Sequence, residues 1–140
     1  MRLWHFKLIE QGLLPNSQLI AQWRELNSIY ANKPNHILIN YVYQYPKENL
    51  LYYSVLVANE LHRRNVDIKM DKFEQYFSAI DFAKAAATFN DGDNPFPEHH
   101  TDRYLIECYW NLAEKFDRGQ RDFFDDQYLM LTNYVFEGRK

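Results

Sequence analysis

The chain has 140 residues, 46% of them apolar and 17% aromatic, and carries a net charge of −3; this length can bury a core without disulfides and sets one domain as the expectation. A single cysteine excludes an intrachain disulfide, no Cys/His spacing fits a zinc site, and no apolar run approaches the roughly 20 residues of a membrane helix. Charge is uneven: residues 1–70 hold eight Lys/Arg against five Asp/Glu and residues 71–140 hold eight against fourteen, so only the first half is suited to a polyanion.

Residues 1–14 mix Leu3, Trp4, Phe6, Leu8, Ile9, Leu13 and Leu14 with charges, which fits a short helix or an ordered arm ending near Gly12. Arg2, Lys7 and Glu10 interrupt it, so it is no signal peptide, and the chain reads as cytosolic and free of membranes. Pro15, Asn16 and Ser17 punctuate the start of a helix over roughly 17–30. There Leu19, Ile20, Trp23 and Leu26 recur at helical spacing and face the core. Gln18, Gln22 and Glu25 share a second face, with Arg24 beside the acid.

Ala31 to Asn35 is a loop, since Pro34 disfavours helix at Lys33. His36 to Tyr43 is β-branched and aromatic and reads alone as strand, with a buried helical segment as the alternative. Lys47 to about Arg64 is a helix with Leu51, Val55, Ala58 and Leu61 along one face; His62, Arg63 and Arg64 suit the negative end of its dipole. Asp71 to Thr88 gives one or two further helices, and Asn90 to Pro97 is the clearest loop. Thr101 or Asp102 caps a helix carrying Leu105, Cys108, Tyr109, Leu112 and Phe116, which stops at Gly119. Cys108 falls on its apolar side, as an inert buried thiol does. Phe123 to Lys140 is aromatic without a clean period. The sum is a mainly α, compact, single-domain fold over residues 1–140.

The chain has no glycine-rich phosphate loop, no nucleophilic serine elbow and no HExxH motif. Three constellations remain. The first joins Met1-Arg2 to Arg24-Glu25. An α-amine has a reference pKa of about 7.7–8.0 against about 10.4 for lysine, so it offers more neutral nitrogen near neutral pH. Such an amine can form an imine at a sugar C1′, and a carboxylate beside it can shuttle protons. Spacing alone favours the plainer reading, a frayed Met1 and a solvated Arg24-Glu25 surface. The second is His99-His100 between Glu98 and Asp102, which could bind metal or contact phosphate but reads more readily as exposed capping residues. The third is Tyr128, Tyr134 and Phe136 with Arg139 and Lys140 beyond: a base-stacking set, or a tail packed on the core.

Met1-Arg2-Leu3-Trp4-His5, the run Leu19 to Leu26 and the segment Leu51–Lys69 together resemble the pyrimidine-dimer DNA glycosylase family, of which phage endonuclease V is the best-known member. The resemblance covers about the first half and returns around His99 to Glu114. It implies a compact, mostly α-helical single domain that works without metal or cofactor on double-stranded DNA carrying a lesion, as a monomer. The implied activity is cleavage of the N-glycosidic bond at a UV-induced pyrimidine dimer through a Schiff base on the N-terminal α-amine, followed by β-elimination. By position, Met1 is the implied nucleophile and Glu25 the catalytic glutamate. Arg2 and Arg24 are the implied phosphate contacts, with His36 and Tyr128 as further DNA contacts. A family arginine one turn beyond the glutamate is Ser28 here. Two other functions stay open: a non-catalytic nucleic-acid or protein-binding module on the same fold, and a glycosylase for another modified base.

Overall fold

The computed structural model describes residues 1–138. Seven α-helices follow in order: α1 (Phe6–Glu10), α2 (Asn16–Asn32), α3 (Lys47–Arg63), α4 (Asp71–Tyr76), α5 (Phe82–Thr88), α6 (Asp102–Asp117) and α7 (Asp125–Asn133). A 3₁₀ segment, Asn40–Gln44, precedes α3, and a π-helical turn, Tyr134–Gly138, ends the described chain. No strand occurs among the described residues, so the fold is mainly α, as expected. Arg139 and Lys140, the cations of the tail constellation, lie outside the described residues.

α3 is the hub. α1, α2, α5 and the 3₁₀ segment pack on it, and α4 packs on α2. Its core side is Leu50, Leu51, Tyr53, Ser54, Val57 and Leu61. The expected stripe is thus rotated: Leu51 and Leu61 are buried, but Val55 points outward and Ala58 is only half-buried. With four elements around one helix, the buried arc is wider than a single 3.6-residue stripe. α2 buries Leu19, Trp23 and Leu26 as its spacing requires, with Ile20 half-buried at the edge.

Residues 36–43 are not a strand. Residues 37–39 form a turn that leads into the 3₁₀ segment. Ile39 and Val42 are buried three residues apart, which is 3₁₀ periodicity, whereas Ile37 is 86% exposed. The Asn40 side chain accepts the His36 N–H at 2.8 Å and fixes the turn. β-Branched residues made the segment look extended, but a strand needs a partner, and none is offered.

His99 and His100 are not exposed capping residues. The Thr101 hydroxyl caps α6 by accepting the Tyr104 N–H at 3.2 Å. His100 is buried, and His99 is half-buried with its ring stacked on Tyr41 at 4.4 Å. The N-terminus of α2 is closed from the far end of the chain. The Ser17 N–H and hydroxyl donate to the Asp122 carboxylate at 2.6 and 2.9 Å, and Gln120 braces the same group at 2.9 Å.

Candidate functional site

The first residues are an extended arm whose backbone is satisfied by buried side chains instead of by a sheet. Gln22, fully buried on α2, is the centre of it. Its amide oxygen accepts the Trp4 N–H at 2.7 Å, and its amide nitrogen donates to the Arg2 carbonyl at 3.0 Å and to Glu25 at 3.2 Å. Tyr53 donates to the Trp4 carbonyl at 2.7 Å, and Tyr104 to the Leu3 carbonyl at 2.6 Å. The Phe6 N–H donates to Nδ1 of His100 at 3.1 Å, which leaves the His100 proton on Nε2, facing the Tyr41 hydroxyl at 2.8 Å. His5 accepts the Lys7 N–H on Nδ1 and donates from Nε2 to the His100 carbonyl at 3.1 Å. A buried backbone polar group without a partner is costly, so this pattern fixes the arm's path.

The arm delivers Met1 and Arg2 to the side of α2 that carries Glu25. Met1, Arg2 and Glu25 line one cleft of about 260 Å³, together with Gln18 and with Asn111 and Lys115 from α6. Burial, the largest influence, raises the Glu25 pKa above the usual glutamate value. The charge of the N-terminal ammonium, the Arg2 backbone amide, the charge of His36 and the Gln22 amide oppose it. Amine and acid are thus electrostatically close, yet no ion pair within 4.0 Å joins them. The Arg2 guanidinium folds back, 5.8 Å from the ring centroids of both Trp4 and Tyr104, and its charge sits in the cleft wall.

Arg24, next to Glu25 in sequence, faces a neighbouring groove with Asn27, Ser28 and Lys69. His36 is half-buried and acts on Glu25 through its charge. Tyr128 lies elsewhere: its ring stacks on Phe116 at 4.2 Å, and its hydroxyl accepts from Tyr109 at 3.0 Å. Its helix α7 packs on α6, as a tail held to the core does. Among the described residues, no group of three His, Cys, Asp or Glu side chains is gathered as a metal site requires. His100, whose ring nitrogens face Phe6 and Tyr41, is committed to the core.

Sequence reasoning missed three parts of this site. Spacing makes Gln22 only a member of a polar face; nothing local marks it as buried, because the partners that enclose it, Trp4, Arg2 and Tyr53, are 18 to 31 positions away. Asn111 and Lys115 come from the acidic half, and their one local signal is a four-residue spacing on the polar side of α6. Among the described residues, the ion pairs within 4.0 Å are those of Glu60 with Arg63 and Arg64, Arg103 with Glu107, and Arg118 with Glu114. Among the described residues, Arg2, Arg24 and Lys115 therefore have no carboxylate within 4.0 Å.

The family model described as pyrimidine dimer DNA glycosylase matches residues 1–74, which contain Met1, Arg2 and the whole of α2. No curated protein and no solved structure matches the chain. Among the described residues, no helix is long and apolar enough to cross a membrane.

Proposed function

Since the chain belongs to the pyrimidine dimer DNA glycosylase family, we propose that it repairs DNA by an amine-based glycosylase and abasic-site lyase reaction in which Met1 is the nucleophile and Glu25 the proton carrier. The observation that carries this reading is the shared cleft: a locked arm holds the α-amine on the wall that also bears Glu25. The neutral α-amine attacks C1′ of the damaged nucleotide. An N–C1′ bond forms, the glycosidic C1′–N bond breaks, and its electron pair leaves with the base, which takes up a proton. Loss of the amine proton and opening of the sugar ring give an imine. Removal of a C2′ proton then expels the 3′ phosphate oxygen and nicks the strand, and water releases the amine. Glu25 suits the proton transfers because burial keeps its pKa above the ordinary glutamate value.

Arg2, Lys115 and Arg24 put positive charge on and beside the cleft, where strand phosphates would lie. A cleft of about 260 Å³ is small against typical ligand sites of roughly 300–1,000 Å³, which suits part of one nucleotide better than a whole base pair. The same reading takes residues 1–140 as one domain, because α6 supplies one wall of the site. Borohydride reduction in the presence of duplexes carrying an abasic site or UV lesions tests it. The expected result is a covalent protein–DNA adduct formed through Met1, lost when the α-amine is acetylated. Salt-dependent binding with no adduct and no nicking would instead identify a non-catalytic binding module.

A further inference from the structure

A second cleft, of about 580 Å³, opens at the C-terminal end of α2, where Lys33, Lys47 and Lys72 converge with Asn32, Gln75 and Tyr76. Among the described residues, no acidic side chain lines it. The lysines come from three elements: Lys33 ends α2, Lys47 begins α3, and Lys72 lies in the first turn of α4. Lys33 turns the chain with φ at 45°, a left-handed conformation unusual outside glycine. Lys47 is pinned: its Nζ lies 4.1 Å from the Tyr76 ring centroid and donates to the Tyr76 carbonyl at 3.4 Å. None of the three has a carboxylate within 4.0 Å among the described residues. Three ammonium groups around one opening repel each other unless an anion enters it.

This cleft adjoins the groove that holds Arg24 and Lys69. The two share Asn32 and Lys72, and Asp67 is the one acid on the groove's wall among the described residues. Cations therefore run from beside Glu25 to the end of α2. At about 1.5 Å of rise per residue, Lys33 stands about 12 Å along the helix axis from Glu25. One nucleotide advances a strand by about 3.4 Å, so that span is three to four nucleotides.

We infer that the Lys33–Lys47–Lys72 cleft is a second, separate phosphate site that grips the DNA backbone about three to four nucleotides from the reacting sugar. The inference rests on the DNA-repair reading above and assigns that reading's substrate a second point of attachment. Its chemistry is point-charge capture of phosphate oxygens, with the Asn32 and Gln75 amides as neutral donors at the rim.

The test uses the full chain and a duplex with a central non-cleavable abasic analogue, bound over a range of salt concentrations. Replacing Lys33, Lys47 and Lys72 together by Gln is expected to reduce the slope of log affinity against log salt by about 0.9 for each phosphate no longer neutralised, between two and three in all. Lys84→Gln, on exposed α5, removes a charge without changing the slope. On a duplex truncated before it can reach the cleft, the triple variant and the parent bind alike. If the triple variant melts early because Lys47 no longer packs on Tyr76, the Lys33→Gln/Lys72→Gln pair is read instead, with a loss of about two. An unchanged slope on the long duplex overturns the site. An equal loss on both duplexes overturns its placement. A parent protein that binds no duplex overturns the repair reading itself, which is a different result from a parent that binds and a variant that matches it.

Discussion

Gln22 receives the Trp4 backbone N–H on its side-chain oxygen at 2.7 Å, and through that bond α2 holds the arm that carries Met1. Gln22→Leu keeps the volume but leaves the Trp4 N–H, the Arg2 carbonyl and one Glu25 oxygen short of a partner. The expected loss of stability is on the order of 3 kcal/mol. Because displacement by about 1 Å can cost about a hundredfold in rate, nicking should fall more than binding. Thermal melts and single-turnover nicking of the same preparation check this; a stable variant with full activity would detach Gln22 from the site.

Glu25→Gln separates stability from chemistry. The folded pKa of Glu25 is raised, so its favourable contribution belongs to the protonated form and is lost as pH rises through that value. A neutral amide should therefore raise the melting temperature at pH 7, while nicking drops by roughly 10²–10⁴. The stability gain should vanish at a pH below the ordinary glutamate range. A variant less stable than the parent at pH 7 refutes the electrostatic argument even if activity is lost.

The buried His5 and His100 make the fold sensitive to mild acid. Burial pulls the His5 pKa from 6.5 down to about 4, and His100 is lowered well below its usual value for the same reason, with the neighbouring imidazoles adding to it. A lowered base binds its proton less readily when folded than when unfolded, so stability is full above about 6.5 and falls as pH drops towards 4. At about 1.4 kcal/mol per unit, His5 alone is worth on the order of 3 kcal/mol across that window. Glu60 and Asp122, both lowered, act only below the ordinary carboxylate range. Melting curves at pH 7 and pH 5 should differ by several degrees, and a flat profile would contradict the assigned neutral tautomers.

Arg64 and Arg63 share the Glu60 carboxylate and should nonetheless behave differently. Arg64 also donates to the Gly12 and Leu14 carbonyls and to Asn16, at 3.1, 2.8 and 2.8 Å, and its side chain is 13% exposed against 66% for Arg63. Arg64→Ala should cost on the order of 3 kcal/mol and loosen the turn between α1 and α2. Arg63→Ala should cost much less, because its side chain is largely in solvent and the pair is screened. Denaturant titration of both variants decides, and equal losses would mean the fork to the turn carries nothing.

Helical spacing located α2, α3 and α6 because their buried faces repeat every turn, and it named Leu19, Trp23 and Leu26 correctly. It placed Val55 on the core side because the number of helices around α3 is a property of the assembled chain, not of the segment. Residues 36–43 misled because β-branching reports side-chain stiffness, not the presence of a partner strand. Within the cleft, Met1, Arg2 and Glu25 could be nominated from resemblance, since they lie in contiguous matched stretches. Gln22, Lys115 and the burial of His100 could not, because each is defined by contacts with residues distant in sequence.

The Asp122 carboxylate that closes α2 has a practical consequence for anyone cutting the gene. Residues 1–74 carry the amine, the acid and the family signature, but the first turn of α2 ends on a carboxylate supplied from beyond α6. Cloned alone, that stretch would begin α2 with the Ser17 N–H open to water and would lack the wall bearing Asn111 and Lys115. It is not a transplantable cassette. A chimera that borrows this chemistry must take the helix 102–117 and the carboxylate at 122 along with it.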